Sequence, residues 1–310
     1  MKDIMPRHRE PARVAMESGF AHSMSRHTAL FYRRSRKTLV VTFDNMKCRD
    51  RPGPAFPWGY GFLAKQNHSH LGIVMRRRND WFRHGDLTRF FDKLKADGFF
   101  DGFENVVFYG SSMGGYGALA YVSAAPNARV VVFSPQTSLD PEQAPFETRY
   151  RTSFARGDWS GSYVDGAHEA RTAREVTLFY DPYEPADREH VARLQNAGVN
   201  LNLMKIPFGG HDTMRRLIIR GLQSDICGAA LEGRLSPDDF ALRLRRARGV
   251  QAVSRTTLTR AIEKGHPQLV LATLLKLEKS RPGWKFPKIK RDAQDAINRT
   301  NPSQFLQGAP

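Results

Sequence analysis

Short apolar runs alternate with longer segments of helical period between residues 38 and 222. The runs are rich in β-branched residues, and such near-continuous apolar runs are typical of strands buried on both faces. They predict six strands, at residues 38–43, 71–75, 105–109, 129–134, 175–180 and 200–206.

The segments between these runs have the period of amphipathic helices. Leu87, Phe90, Phe91 and Leu94 recur at i, i+3, i+4 and i+7 ahead of Gly98. A second helix is predicted at residues 186–197, ahead of a glycine. Strands that alternate with helices predict the α/β class, with a doubly wound and mostly parallel sheet.

Three parts of the chain depart from this rhythm. Residues 137–174 have prolines, glycines and little periodicity, which predicts either a lid over a site or a surface excursion. Residues 231–310 favour a small helical appendage, with helices at 254–264 and 267–279 and a frayed end. Residues 1–37 are polar and basic, so we expect an N-terminal extension and a shortened sheet. The catalytic domain is predicted at 38–230.

A candidate nucleophile lies in the turn after the strand at 105–109. Residues Gly110 to Gly114 have the pattern Gly-x-Ser-x-Gly, and a helix rich in small residues follows. This strand-turn-helix context projects the central serine, Ser112, above the sheet at a helix N-terminus. A tight turn without catalysis is the alternative interpretation.

A serine nucleophile needs a base and an acid that orients the base. His211 follows the last predicted strand through Pro207-Phe208-Gly209-Gly210 and is the candidate base. Asp181, directly at the end of the strand at 175–180, is the preferred acid because sites in parallel sheets form at strand carboxyl ends. Asp187 is the alternative acid, which could instead be a helix N-terminal residue favoured by the helix dipole.

The anionic intermediate of acyl transfer needs two hydrogen-bond donors. The backbone amide of Met113, the residue after the nucleophile, is the first candidate. The second should come from the loop after the strand at 38–43, so the amides of Phe43 and Asp44 are candidates. That loop has no His-Gly-Gly-Gly motif.

Residues 38–222 resemble the α/β-hydrolase superfamily, in its esterase, lipase and thioesterase-like branch. The resemblance rests on Gly-Ser-Ser-Met-Gly-Gly at 110–115, Asp-Pro-Tyr-Glu-Pro at 181–185 and Gly-Gly-His at 209–211. It implies covalent acyl-enzyme chemistry, in a superfamily that also has transferases and inactive members. No cofactor or metal is expected, since the chain has no dinucleotide, phosphate-loop or His-Glu-x-x-His motif.

The net charge of +17 belongs mostly to the ends of the chain. Residues 1–37 have nine Lys and Arg against three Asp and Glu, and residues 231–310 have sixteen against seven. Basic runs at 33–37, 76–78 and 243–248 could bind an anionic surface or polysaccharide, or could be solvated helix faces. No nucleic-acid partner is expected, although residues 253–265 faintly resemble a recognition helix. Without an apolar run that could span a bilayer, we expect a cytoplasmic protein.

Three functions fit these patterns. The first is hydrolysis of a carboxylic ester or thioester, and the second is transfer of the acyl group to an alcohol or sugar through the same residues. The third is a non-catalytic protein that binds an anionic polymer or a partner through its basic ends. The order nucleophile, acid and histidine along the chain favours the first two.

Overall fold

The computed structural model describes residues 4–46, 48, 53–76, 80–247 and 251–300. The chain divides into two compact units. The first comprises Met1–Arg215 and Gln223–Ala241, and the second comprises Arg216–Leu222 and Leu242–Pro310. Arg77, Arg78, Arg248 and residues 301–310, which the sequence assigns to basic runs and to a frayed end, lie outside the described residues.

The first unit is built on one eight-stranded sheet. Its strands are β1 Phe20–Ser23, β2 His27–Tyr32, β3 Thr38–Phe43, β4 Ser69–Met75, β5 Asn105–Ser111, β6 Arg129–Phe133, β7 Glu175–Tyr180 and β8 Leu201–Lys205. The spatial order is β1-β2-β4-β3-β5-β6-β7-β8. Strands β3 to β8 are parallel, whereas β1 and β2 are antiparallel additions at one edge. The predicted α/β class with a mostly parallel sheet is confirmed.

The expected shortening of the sheet is wrong, because residues 20–32 supply its first two strands. All six residues of β2 are buried, including two that are polar. His27 Nε2 lies 3.1 Å from an Asp80 carboxylate oxygen, and the Tyr32 hydroxyl donates to the Pro11 carbonyl. His27 and Tyr32 thus find partners inside the fold, whereas the buried Thr28 hydroxyl has none among the described residues.

Ten α-helices lie in the described part of the chain up to residue 246. They are α1 Arg9–Met16, α2 Tyr60–Lys65, α3 Gly85–Ala96, α4 Met113–Tyr121, α5 Arg151–Phe154, α6 Gly166–Glu169, α7 Pro185–Asn196, α8 Thr213–Ile219, α9 Gln223–Leu231 and α10 Pro237–Arg246. Two of them, α8 and α10, extend from the first unit into the second. The predicted apolar stripe of α3 is buried. Every residue of α4 is buried, so the helix after Ser112 is part of the core.

The insertion at residues 137–174 is mostly irregular and contains the short helices α5 and α6. The buried side chain of Arg83 donates to the carbonyls of Ser160, Ser162 and Tyr163. The Tyr116 hydroxyl in α4 donates to the Val164 carbonyl. Side chains of the core thus supply the hydrogen bonds that the insertion's irregular backbone requires.

The second unit contains the helices α11 Gln251–Glu263, α12 Pro267–Ser280 and α13 Pro287–Thr300. Their apolar faces form a separate small core of Leu258, Val270, Leu274, Phe286, Ile289 and Ala293. Helices α11 and α12 are at positions that the sequence predicts, whereas α13 was not predicted. None of the helices in the described part of the chain is long and apolar enough to span a membrane.

Candidate active site

The turn after β5 holds Ser112 in a strained conformation. Ser112 has φ 53° and ψ −121°, which is rarely adopted by a residue with a Cβ atom. Its amide donates to the Phe133 carbonyl in β6 at 2.8 Å, which ties the turn to the sheet. Such strain is kept at functional sites when the surroundings hold it in place.

The glycines around Ser112 are required by close backbone contacts. A Cβ atom on Gly110 would collide with the Gly114 carbonyl, and one on Gly114 would lie 2.5 Å from the Phe43 carbonyl oxygen. Larger residues would therefore push β3, β5 and α4 apart. The Gly-x-Ser-x-Gly pattern is explained by this packing.

His211 reaches Ser112 from the loop after β8. The Ser112 Oγ and His211 Nε2 atoms are 2.8 Å apart, a hydrogen-bond distance between residues 99 positions apart in sequence. Gly210, directly before the histidine, has φ 66°, where a glycine carries no penalty. The structure thus brings together the predicted nucleophile and the predicted base.

The acidic partner of His211 is Asp187. Both carboxylate oxygens of Asp187 lie 2.9 Å from His211 Nδ1, and the aspartate side chain is only 1% exposed. Asp187 is in the first turn of α7, after Pro185. The carboxylate can therefore fix the imidazole with Nδ1 protonated and Nε2 free to accept the Ser112 proton.

The preferred candidate, Asp181, does not contact His211 in this way. Its buried carboxylate accepts hydrogen bonds from the backbone amides of Tyr183 at 3.0 Å, Phe208 at 3.2 Å and Gly210 at 2.7 Å. The preference for Asp181 is corrected on this geometry, since both its oxygens face loop amides. Asp181 joins the loop after β7 to the loop that carries the histidine.

Arg149, from the insertion, binds the Asp187 carboxylate. Arg149 Nη1 donates to an Asp187 oxygen at 3.0 Å and lies 3.4 Å from His211 Nδ1. Its remaining donors bind Glu147. Burial alone would lower the pKa of Arg149, but the hydrogen bond to Glu147 and the charges of Asp187 and Glu147 raise it above its usual value. Arg149 therefore stays cationic beside the acid.

Glu147 extends this network to α7. It accepts from His190 Nε2 at 3.0 Å, while His190 Nδ1 accepts from the Thr137 amide at 3.1 Å. Burial alone would raise the pKa of Glu147, but the hydrogen bonds from His190 and Arg149 lower it to about 2. Burial lowers the pKa of His190, so a neutral imidazole bridges an ionised carboxylate and the backbone.

The backbone amides predicted to bind the anionic intermediate differ in their hydrogen bonds and positions. Met113 is the first residue of α4, so its amide is among those without an intrahelical acceptor. The Asp44 amide instead donates to the Ile73 carbonyl at 3.1 Å, and Phe43 ends β3 inside the sheet. Asp44 is corrected as a donor, because strand pairing uses its amide. The amide of Phe43, the last residue of β3, stays a predicted donor.

Sequence reasoning also missed Tyr150, which precedes α5 in the insertion. Its ring packs against Trp81, with ring centroids 4.9 Å apart. Burial raises the pKa of Tyr150, against the lowering effects of the Arg149 charge and of Ser112. The phenol is therefore protonated at neutral pH. No local pattern in residues 137–174 could have revealed this.

The site has no metal-ligand cluster. Over the described ranges, no group of three or more His, Cys, Asp and Glu side chains is arranged to hold a metal ion. The groups available for chemistry are the hydroxyls of Ser112 and Tyr150, the His211 imidazole, the Asp187 carboxylate and the free amide of Met113. Together they can move one proton and stabilise one negative charge.

Neither a protein-family model nor a curated protein sequence matches the chain. Among solved structures, the capsule O-acetyltransferase of Neisseria meningitidis serogroup A is similar, with a TM-score of 0.51 and 16% identity. The match covers 68% of this chain and 93% of that one. Carboxyl esterase 2 from Tuber melanosporum matches with a TM-score of 0.47 and 13% identity, over 69% of this chain and 83% of that one. By its strand order and its similarity to the capsule O-acetyltransferase structure, the chain has the α/β-hydrolase fold.

Proposed function

We propose that the protein is a serine-dependent esterase or acyltransferase that forms a covalent acyl-enzyme at Ser112. The observation that carries this proposal is the continuous hydrogen-bonded path from Ser112 Oγ through His211 to Asp187. A strained serine at the start of a buried helix supports it independently. A non-catalytic protein would have no need to hold these three side chains in this order.

In the first step, the Ser112 oxygen attacks the acyl carbon while His211 Nε2 takes the hydroxyl proton. The bond between the acyl carbon and the leaving oxygen or sulfur then breaks, and His211 returns the proton to the leaving group. Asp187 holds the imidazole and stabilises its cationic form without taking the proton. Arg149 is a positioning residue, because it fixes the Asp187 carboxylate.

The negative charge of the tetrahedral intermediate needs two donors. We assign the first to the Met113 amide and the second to the Tyr150 hydroxyl. The Tyr150 assignment is supported by its place next to Arg149, which lies 3.4 Å from His211 Nδ1, and by its raised pKa, which keeps the phenol protonated at neutral pH. In this proposal the insertion is part of the catalytic machinery.

In the second step, His211 deprotonates the incoming hydroxyl, which attacks the acyl-enzyme and releases Ser112. Water as the incoming group gives hydrolysis, and an alcohol or sugar hydroxyl gives acyl transfer. The capsule O-acetyltransferase, as its name says, transfers an acetyl group to a capsule, and its similar fold favours transfer as the second candidate. The basic runs at 33–37, 76–78 and 243–248 stay predicted candidates for binding an anionic surface or polysaccharide.

A pre-steady-state experiment tests the proposal. Wild-type protein mixed with p-nitrophenyl acetate should release a burst of nitrophenolate equal to the active-site concentration, followed by slower turnover. Added alcohols or methyl glycosides should speed turnover and yield acetylated acceptor if the protein is a transferase. Folded wild-type protein without a burst or turnover, on acetate or butyrate esters and thioesters, would contradict the proposal.

A further inference from the structure

Two aromatic side chains stand exposed beside the loop that carries His211. Tyr183 is 56% exposed and Phe208 is 41% exposed, and among the described residues no other Phe, Tyr or Trp is exposed to a similar extent. Their rings stack with centroids 4.8 Å apart and planes inclined by 17°. We call this pair the aromatic platform. Exposed apolar surface of this kind often marks a binding site.

The platform is held in place by Asp181. The carboxylate accepts from the amides of both platform residues, at 3.0 Å for Tyr183 and 3.2 Å for Phe208. Phe208 has φ 58°, a left-handed conformation that disfavours a bulky residue. The fold therefore keeps a large ring in solvent at a cost in both backbone strain and hydration, which points to a function for the ring.

The same carboxylate also positions the catalytic loop. Asp181 accepts from the Gly210 amide at 2.7 Å, and Gly210 directly precedes His211. Phe208 lies only three residues before the histidine. A group that stacks on the platform would therefore be held at a fixed place relative to the base that handles the leaving or incoming hydroxyl.

We propose that the aromatic platform is a subsite for the sugar ring that carries the ester or accepts the acyl group. This inference rests on the proposed function and names its substrate class. A sugar ring has an apolar face of C–H groups, which packs on an aromatic ring, and a polar rim that stays in water. The platform is flat and open, so it suits such a ring better than a flexible alkyl chain, which needs an enclosing groove.

The test compares acetate esters with and without a ring. The ring substrate is methyl tetra-O-acetyl-glucoside, and the ringless substrate is glycerol triacetate. The platform is removed by Tyr183→Ala and by Phe208→Gly, which also suits the left-handed backbone. Tyr183→Phe and Phe208→Tyr keep the rings, and Met16→Ala removes an equally exposed apolar side chain far along the chain.

Removing either ring should lower kcat/KM for the acetylated glucoside about tenfold, mainly through KM. Glycerol triacetate should be affected less than twofold, and the ring-keeping variants should behave as wild type. Equal losses on both substrates would overturn the subsite and indicate that the platform only supports His211. No loss on the glucoside would overturn it as well.

Direct binding separates this inference from the proposed chemistry. In saturation-transfer NMR, the ring protons of a methyl glycoside should receive saturation from the Ser112→Ala protein, and removal of the platform should abolish the signal. Absence of glycoside binding to the Ser112→Ala protein would contradict the subsite, even if the wild-type protein hydrolyses esters. Glycoside binding without any burst would instead contradict the proposed function and leave the subsite supported.

Discussion

The nucleophile turn and the insertion at residues 137–174 deliver groups to one site but are built in opposite ways. The turn is local: a strand, a strained serine and a helix, with glycines where backbones touch. The insertion is mostly irregular, and distant polar partners such as Arg83 and His190 hold it in place. Changes in the turn should therefore act on chemistry, whereas changes in the insertion should act on positioning and stability.

The largest effect is expected at the turn. Ser112→Ala removes the attacking oxygen and should lower kcat for p-nitrophenyl acetate by about 10⁴-fold or more. The free energy of unfolding should hardly fall, because the hydroxyl is not part of the core. Ser111→Ala is the matched control and should keep most activity. A loss of kcat of similar size in Ser111→Ala would contradict the assignment of Ser112 as the nucleophile of this turn.

The two aspartates give the next comparison. Asp187→Asn should lower kcat by about 10³- to 10⁴-fold, because the amide no longer selects the correct imidazole form. Asp181→Asn should lower kcat less than tenfold but reduce stability, since a carboxylate that accepts three amide hydrogen bonds is lost. Steady-state kinetics and urea unfolding measure both. The reverse order of the two kcat losses would contradict the assignment of Asp187.

Tyr150→Phe tests whether the insertion takes part in chemistry. Loss of one donor to the anionic intermediate should lower kcat by about 10²-fold with little change in KM. Tyr116→Phe makes the same chemical change to a buried tyrosine whose hydroxyl donates to the Val164 carbonyl. That control should keep its kcat. Equally small losses of kcat in the two variants would contradict a role for Tyr150 in chemistry. The insertion would then only position other residues.

The smallest effect concerns stability and its pH dependence. The pKa of Glu147 is lowered to about 2, so its ionised form stabilises the fold above pH 4.5 and this contribution disappears as pH falls toward 2. Glu147→Gln should cost about 2–3 kcal/mol at pH 7 and much less at pH 3. Urea unfolding at both pH values measures the difference.

The exposed Glu142, also in the insertion, provides the control for this prediction. Glu142→Gln should change the free energy of unfolding by less than about 0.5 kcal/mol at either pH. A loss of unfolding free energy in Glu147→Gln that stays the same at pH 3 would contradict the prediction. It would mean that ionisation of Glu147 does not stabilise its contacts with Arg149 and His190.

The same division explains how far sequence could predict the structure. The central strands and the α3 stripe follow from local hydrophobic patterns. The contact between Ser112 and His211 follows from their places at strand ends and turns. Strand β2 was missed because its buried His27 is paired only with a distant residue, Asp80.

The acidic partner of His211 shows most clearly what could not be predicted from the sequence. Asp181 and Asp187 both follow β7, and only the path of the loop decides which one reaches His211. Arg149 and Tyr150 come from a segment without periodicity, so their arrival at the site depends on long-range hydrogen bonds. Residue spacing carries no information about such contacts.

The central claim is that Ser112 is the acylated nucleophile, and peptide mass spectrometry after fluorophosphonate treatment tests it most directly. The account predicts one phosphonyl group per chain, located on the peptide with Ser112, and no label on Ser112→Ala or on unfolded protein. A label on another residue, or folded wild-type protein that hydrolyses esters without any label at Ser112, would contradict it.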